Sequence, residues 1–276
     1  MDKKLLLPEE LKKLCQDCDL QPSKTYGQNY LVQPGPILKM IEAAHIQADD
    51  IVVEIGPGFG VLTCAILDHT DHVLAFEIEK KLQAYWEGRQ KEFPSLQIIW
   101  GNALHTLPSH ISKGHAYKVV ANLPYQITSF ILRTVLELAD KPSIMVVMVQ
   151  KEVAERICAK KGDLSLLAVS VQYYGVPRIV TRVARGSFWP APKVDSAVLA
   201  IEKIKKNTKE DDWFFTVVRA GFSNKRKQVV KNLKNGLPSS EEKIRAVLQE
   251  VVQNEKVRAQ EIDIEEWKRI AVLLKK

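Results

Sequence analysis

An α/β fold built on a mainly parallel sheet with helices on both faces is predicted by three observations. Short apolar runs at 51–55, 73–77, 96–100, 118–121 and 143–149 have strand length, and helical patterns lie between most of them, the rhythm of successive βαβ units. The first run passes directly into Gly56-Pro57-Gly58-Phe59-Gly60, where the backbone can approach a ligand closely and a following helix offers free N–H groups. The fourth run ends in Asn122-Leu123-Pro124-Tyr125, at the strand end where open α/β sheets hold their ligands. Asn and Pro are also common turn residues, so this tetrapeptide read alone fits an ordinary strand-to-helix connection equally well.

Taken in order, residues 1–26 form a polar, Lys-rich extension with a helix around Pro8 to Cys18, in the pattern of a lid or arm. A helix is expected from about Pro36 to Ala44, with Ile37, Met40 and Ile41 at helical spacing. After 150 the rhythm changes. Helices are expected over Lys151–Lys160 and about Leu164–Val171. The stretches 176–184 and 194–204, joined by a Pro-containing turn at 186–192, are expected to pair as an antiparallel hairpin at the sheet edge. The Lys-rich run Lys203 to Asp212 reads as a linker, and 213–220, 225–235, 240–252 and 263–274 read as amphipathic helices separated by breakers such as Gly236-Leu237-Pro238. The expected organisation is therefore an extension at 1–26, a catalytic domain at 27–205 and a small all-helical domain at 206–276.

Of the 276 residues, 46% are apolar and 26% charged, the balance of an ordinary folded protein. The net charge of +7 is unevenly placed: residues 201–276 hold 18 Lys and Arg against 12 Asp and Glu, while the first 200 are nearly neutral. A basic C-terminal segment suggests a polyanion such as nucleic acid, or else a solvated helix face. The N-terminus lacks the apolar core of a signal peptide, and the longest apolar stretch, Ile144 to Val149, is strand-sized, so no membrane span and a cytoplasmic location are expected. Cys15 and Cys18 form a CxxC without the two further ligands that zinc needs, and Cys64 and Cys158 stand alone, so no metal site is expected.

The glycine loop has GxGxG spacing rather than the GxGxxG of dinucleotide binders, which weakens a nicotinamide reading without excluding it. The second strand ends at Glu77, 21 residues after Gly56, where a carboxylate can accept bonds from both hydroxyls of a ribose. Asn102 follows the third strand, and its primary amide offers one acceptor and one donor to an adenine edge. Three polar groups on three successive strand ends argue for an adenosyl ligand.

The order of motifs resembles the S-adenosylmethionine-dependent adenine-N6 dimethyltransferases of ribosomal RNA over about residues 24–235. Its parts are GQNYL at 27–31, EIGPGFGVLT at 54–63, FEIE at 76–79, GNAL at 101–104, NLPYQIT at 122–128, QKEVAERI at 150–157, FWPAPKVDSAV at 188–198 and GFSNKRKQVVKNL at 221–233. The glycine loop alone would match many methyltransferases. NLPY together with PKVDSAV is far more specific. The resemblance implies a seven-stranded, Rossmann-like methyltransferase sheet with a small helical C-terminal domain. It implies that Asn29, Leu31, Gly56, Gly58, Glu77, Asn102 and Asn122 contact S-adenosyl-L-methionine, and that Tyr125 and Phe188 hold the target adenine between aromatic faces. The implied partner is 16S rRNA, within the small ribosomal subunit or its precursor, acted on by a monomer.

Three departures from the family pattern stand out. Asn102 replaces the usual Asp, keeping an acceptor but losing the charge, so altered cofactor affinity rather than lost binding is expected. Gln33 replaces an Asp and Tyr30 a Phe near the first motif, and Gly162-Asp163 stands where Tyr-Gly is usual.

The chemistry explains the tetrapeptide. The exocyclic nitrogen of adenine attacks poorly because its lone pair is delocalised, and two acceptors bonded to its hydrogens would localise that pair. The Asn122 side-chain oxygen and the Leu123 carbonyl are the candidates, with Pro124 holding Leu123 extended. No general base is needed, because the methylated ammonium product of attack is acidic enough to lose its proton to water. Taking a base out of its stack costs a few kcal/mol, which aromatic walls at Tyr125 and Phe188 would offset at about 1–3 kcal/mol per base. An RNA surface is expected from Lys225, Arg226, Lys227, Lys231 and Lys234 with Lys24 and Lys193; in a helix, 227, 231 and 234 share one side. Leu123 and the PKVDSAV string favour small-subunit over large-subunit rRNA, and an intact NLPY argues against a non-catalytic nucleic-acid-binding relative.

Overall fold

Apolar runs too short for helices and flanked by breakers leave their backbone groups to be paired laterally, and the result is one seven-stranded sheet. The computed structural model describes residues 1–22, 28–111 and 115–275. In chain order, α1 (Pro8–Asp17), β1 (Tyr30–Leu31), α2 (Pro34–Ala44), β2 (Ile51–Ile55), α3 (Val61–Leu67), β3 (Val73–Glu77) and α4 (Gln83–Arg89) come first. They are followed by β4 (Gln97–Trp100), α5 (Ala103–His110), β5 (Tyr117–Asn122), α6 (Thr128–Glu137), β6 (Ile144–Gln150), α7 (Lys151–Ile157) and α8 (Leu166–Tyr174). The remainder is β7 (Val176–Val183), β8 (Phe188–Trp189), β9 (Ser196–Glu202), α9 (Asp211–Gly221), α10 (Val229–Gly236), α11 (Glu241–Val252) and α12 (Ile264–Lys275).

The sheet order is β4-β3-β2-β5-β6-β9-β7. The strands from β4 through β6 are parallel, and β9 and β7 add an antiparallel edge, as the Pro-containing turn predicted. The order in which strands are added reverses between β2 and β5: β3 and β4 lie on one side of β2, and β6 lies beyond β5. That reversal opens a crevice at the carboxyl ends of β2 and β5, the switch point of an open α/β sheet. The strands at the crevice are buried on both faces, with Val52, Val119, Val120 and Ala121 at 0% exposure, which is why they read as continuous apolar runs rather than alternating ones. Among the described residues, no helix is long and apolar enough to cross a membrane.

The described chain forms two compact units, Met1–Ala154 with Val176–Ile204, and Glu155–Gly175 with Lys205–Lys276. The N-terminal extension therefore belongs to the first unit, where Leu5, Leu11 and Cys15 are buried in its core. A single cut after 205 does not describe the division. Residues 155–175, expected in the catalytic domain, group with the C-terminal helices because α8 carries aromatic residues onto α9: the Tyr173 and Phe214 rings stack with centroids 4.0 Å apart.

One helix starts later than its pattern predicts. α10 begins at Val229 rather than 225, because two asparagines, Asn224 in the GFSN segment and Asn232 within α10, impose a turn. The Asn224 side chain accepts from the Arg226 N–H at 3.1 Å, its carbonyl accepts from the Lys227 N–H at 3.2 Å, and the buried Asn232 amide donates to the Gly221 and Asn224 carbonyls at 2.7 and 2.9 Å.

Candidate active site

The loop after β2 is shaped by backbone conformations that favour glycine. Gly56 has φ +73°, and a Cβ added there would meet nothing within 4 Å, because it would point into an open cleft of about 750 Å³. Gly60 has φ +88°, and a Cβ there would sit 2.6 Å from the Trp86 ring. α4 braces the loop from behind: the Trp86 indole N–H donates to the Gly58 carbonyl at 3.0 Å and the Tyr85 hydroxyl to the Phe59 carbonyl at 2.7 Å.

Two buried carboxylates face this cleft. Glu77, at the end of β3, accepts from the Gly58 N–H at 3.0 Å on one oxygen and from the Ile78 and Glu79 N–H groups, both at 2.8 Å, on the other. Burial pushes its pKa up, and these backbone bonds pull against that shift. Of about four acceptor positions on the carboxylate, one remains for a ligand. Glu54, on β2, is 1% exposed, and its Oε2 has no hydrogen-bond partner among the described residues. Burial pushes its carboxyl up to about 8, with the nearby Thr63 hydroxyl pulling weakly the other way. A buried acid with an unsatisfied oxygen in a cleft is a site awaiting a donor or a cation.

Asn122 closes the cleft on the β5 side. Its Nδ2 donates to the Asn29 carbonyl at 3.2 Å, which fixes the amide and turns its oxygen away from that contact. The Leu123 N–H continues the sheet by donating to the Met148 carbonyl at 3.1 Å, while the Pro124 carbonyl is taken by the Ile127 N–H and the Thr128 hydroxyl. The Tyr125 hydroxyl bonds the buried Ser196 hydroxyl at 2.7 Å. Its ring lines a second cavity, of about 1140 Å³, together with Gln126, Gln150 and the Pro190–Val194 turn. Gln28 and Asn29 line both cavities. The tetrapeptide thus stands at the junction, with Asn122 and Pro124 on the first cavity and Tyr125 on the second.

A model of the family described as ribosomal RNA adenine dimethylase matches residues 20–276. The chain belongs to the ribosomal RNA adenine dimethylases. A Dehalococcoides mccartyi protein named ribosomal RNA small subunit methyltransferase A is 38% identical over 272 residues, covering 97% of this chain and 93% of its own. A Fusobacterium nucleatum protein of the same name is 38% identical over 256 residues, covering 90% and 96%. The crystal structure of a dimethyladenosine transferase from Plasmodium falciparum matches with a TM-score of 0.72 and 27% identity, covering 87% of this chain and 95% of that one. As a dimethylase, the protein is an enzyme that methylates adenine in ribosomal RNA with S-adenosylmethionine as donor.

The first cavity suits that donor. S-adenosylmethionine carries a sulfonium and an ammonium, and the cleft offers two buried carboxyl groups, one with an unpartnered oxygen. The open face of Gly56 leaves room for a ligand against the backbone.

The other dimethylase positions named from the sequence fall as follows. Leu31 is 1% exposed and lines the first cavity, as do Asn29, Gly58 and Glu77. Asn102 caps α5, its Oδ1 accepting from the Leu104 N–H at 3.0 Å, so its acceptor is shared with the helix. Phe188 pairs with Leu31 between β1 and β8 and is 3% exposed, so its ring sits in the core cluster rather than on the wall of the second cavity. Lys193 is exposed on that wall. Lys225, Arg226 and Lys227 lie in the turn before α10, so 227, 231 and 234 do not form one helix stripe, and Lys234 is paired with Glu241 at 2.8 Å. Lys24 and Gly27 lie outside the described residues.

Several lining residues were given no role from the sequence, among them Glu54, Ile78, Leu5 and Leu11. Glu54 had a visible signal, a lone acid inside the apolar run Ile51–Ile55. Ile78 follows the strand-end acid and, at 44% exposure, is an apolar surface beside Glu77. Leu5 and Leu11 reach the cleft from the N-terminal extension, a long-range contact with no local signature.

Proposed function

We propose that this protein dimethylates N6 of two adjacent adenosines near the 3′ end of 16S rRNA, in the small ribosomal subunit or its precursor, acting as a cytoplasmic monomer in ribosome biogenesis. The observation that carries the reading is the tetrapeptide at the meeting point of two cavities: a donor cleft on one side and a roomy cavity beside Tyr125 on the other. The names of the relatives support the small-subunit substrate.

In this reading the bound cofactor supplies an activated methyl group. The protein positions the acceptor. The Asn122 oxygen and the Leu123 carbonyl accept from the adenine amine, and Tyr125 stacks on the base; Phe188 reaches it from the opposite side only by leaving its place in the core. Glu54 and Glu77 hold the cationic and ribose ends of the donor, with Gly56, Gly58, Asn29 and Leu31 against its backbone-facing side and Asn102 at its adenine. Lys193 and the basic turn and helix at Lys225, Arg226, Lys227, Lys231 and Lys234, with Lys24, take phosphates.

Undermethylated small subunits incubated with labelled S-adenosylmethionine and digested to nucleosides are expected to yield N6,N6-dimethyladenosine. Label confined to protein, or a methylated cytosine, would refute the proposal. Offering large subunits in parallel separates the two rRNA targets.

A further inference from the structure

The Lys203 to Asp212 run, which reads as a linker, does more than join elements. Its residues from Lys205 to Glu210 frame a cavity of about 850 Å³ that lies wholly within the C-terminal unit, between the end of α8, the start of α9 and the end of α12. The cavity has aromatic walls and a basic rim.

The walls are held in place. Tyr173 stacks on Phe214 with centroids 4.0 Å apart and interplanar angle 22°, and its hydroxyl donates to Asp211 at 2.9 Å. Asp211 also takes the Thr208 N–H at 3.1 Å and the Thr208 hydroxyl at 2.5 Å, which fastens the run to the head of α9. The Trp213 indole N–H donates to the Ala271 carbonyl at 2.7 Å, fixing that ring against α12. The Lys205 N–H donates to the Tyr174 carbonyl at 2.8 Å, so the lysine pair Lys205-Lys206 starts from a fixed point beside the aromatics.

The rim is cationic. Lys205, Lys206 and Lys275 are exposed on it and have no ion-pair partner among the described residues. Lys268 sits 5.5 Å above the Tyr173 ring and pairs with Glu265 at 2.7 Å. Glu210 is the one acid among the lining residues; the neighbouring Asp211 takes its three bonds on Oδ1, and its buried Oδ2 has no partner among the described residues. Aromatic walls beside the unpaired ammonium groups of Lys205, Lys206 and Lys275 match a ligand with a π-face and flanking negative charges.

We infer that this cavity is a second RNA-contact site, which receives one unstacked nucleotide of the substrate with its base against Trp213 and the edge of Tyr173 and its flanking phosphates on Lys205, Lys206 and Lys275. The inference rests on the reading that the substrate is ribosomal RNA. It adds a site apart from Tyr125 and from the basic residues at 225–234. An anchor of this kind would hold the RNA while the donor is exchanged between the two methyl transfers.

The experiment uses the full chain and three probes: a ten-residue single-stranded oligoribonucleotide carrying 4-thiouridine, inorganic pyrophosphate, and phosphatidylglycerol vesicles. Photocrosslinks are expected at Tyr173 or Trp213. The Lys205→Ala/Lys206→Ala/Lys275→Ala variant touches only exposed side chains, so it keeps its thermal unfolding. It is expected to bind the oligonucleotide about tenfold or more weakly, with a slope of log affinity against log salt shallower by about 2, at roughly 0.7 per lost phosphate contact. On small subunits its KM for RNA rises while kcat is retained. Unchanged affinity and slope in the triple variant, crosslinks only elsewhere, equal binding of pyrophosphate, or vesicle binding that the variant abolishes would each overturn the site. Failure of the unaltered protein to methylate any rRNA would instead strike the substrate reading.

Discussion

The Asn122 amide nitrogen donates to the Asn29 carbonyl at 3.2 Å, a contact spanning 93 residues that ties the end of β5 to the segment before β1. With its nitrogen committed there, the amide has one orientation, and in the proposed function its oxygen is the acceptor for the reacting amine.

Asn122→Ala is expected to lower turnover by about 10²–10³-fold, the scale of losing one preorganised polar contact to a reacting group. RNA affinity should be nearly retained. Asn122→Asp keeps an acceptor but cannot donate to Asn29, so it is expected to lose turnover as well. Single-turnover methylation with separate RNA-binding titrations checks both, and an equal loss of binding and turnover would assign Asn122 a structural role.

Gly56 and Gly60 are expected to fail differently when changed to Ala. Both have positive φ, which costs an L-residue about 1–2 kcal/mol. At Gly60 the new Cβ also meets the Trp86 ring at 2.6 Å, so Gly60→Ala should unfold at a clearly lower temperature. At Gly56 the Cβ enters the open donor cleft, so Gly56→Ala should fold with a smaller loss and bind S-adenosylmethionine poorly. Thermal melts with and without donor separate the two.

The sheet was legible because its strands are buried on both faces and so leave unbroken apolar runs, and because glycine and proline mark their ends. The cleft was legible at its strand ends, Gly56, Glu77 and Asn122, which line it together because topology places those strand ends side by side. Contacts arriving from far along the chain were not: Leu5 and Leu11 look like ordinary apolar residues of a short helix until the extension folds onto the glycine loop. The basic stripe misread a turn as helix because Asn224 and Asn232 compete for backbone groups through side-chain bonds that periodicity does not register. Phe188 was assigned to the base by motif likeness, while its pairing partner Leu31 draws it into the core.

Tyr125 separates ring from hydroxyl. Tyr125→Phe keeps the stacking face but leaves the buried Ser196 hydroxyl without its 2.7 Å partner, so it should lose stability by about 1–3 kcal/mol and retain most turnover. Tyr125→Ala loses the face as well, and its KM for RNA should rise about tenfold or more. Near-normal kinetics in Tyr125→Ala would remove the ring from the base site.

Glu54 gives the donor cleft a pH signature. Its carboxyl is pushed up to about 8 by burial, so in the free protein it is protonated at neutral pH. The folded state therefore holds a proton that the unfolded state releases near pH 4.5, and this term loses stability as pH rises from about 5 to 8. A cationic donor favours the ionised form and lowers the pKa. Binding of S-adenosylmethionine should then release a proton near neutral pH, and affinity should rise with pH up to about 8 before levelling. Calorimetry in two buffers of different ionisation enthalpy measures the release. Glu54→Gln should bind more weakly, release less than half the proton of the unaltered protein, and show a flatter dependence of melting temperature on pH between 5 and 8. Proton release unchanged in that variant would place the titrating group elsewhere, Glu77 being the other buried carboxyl in the cleft.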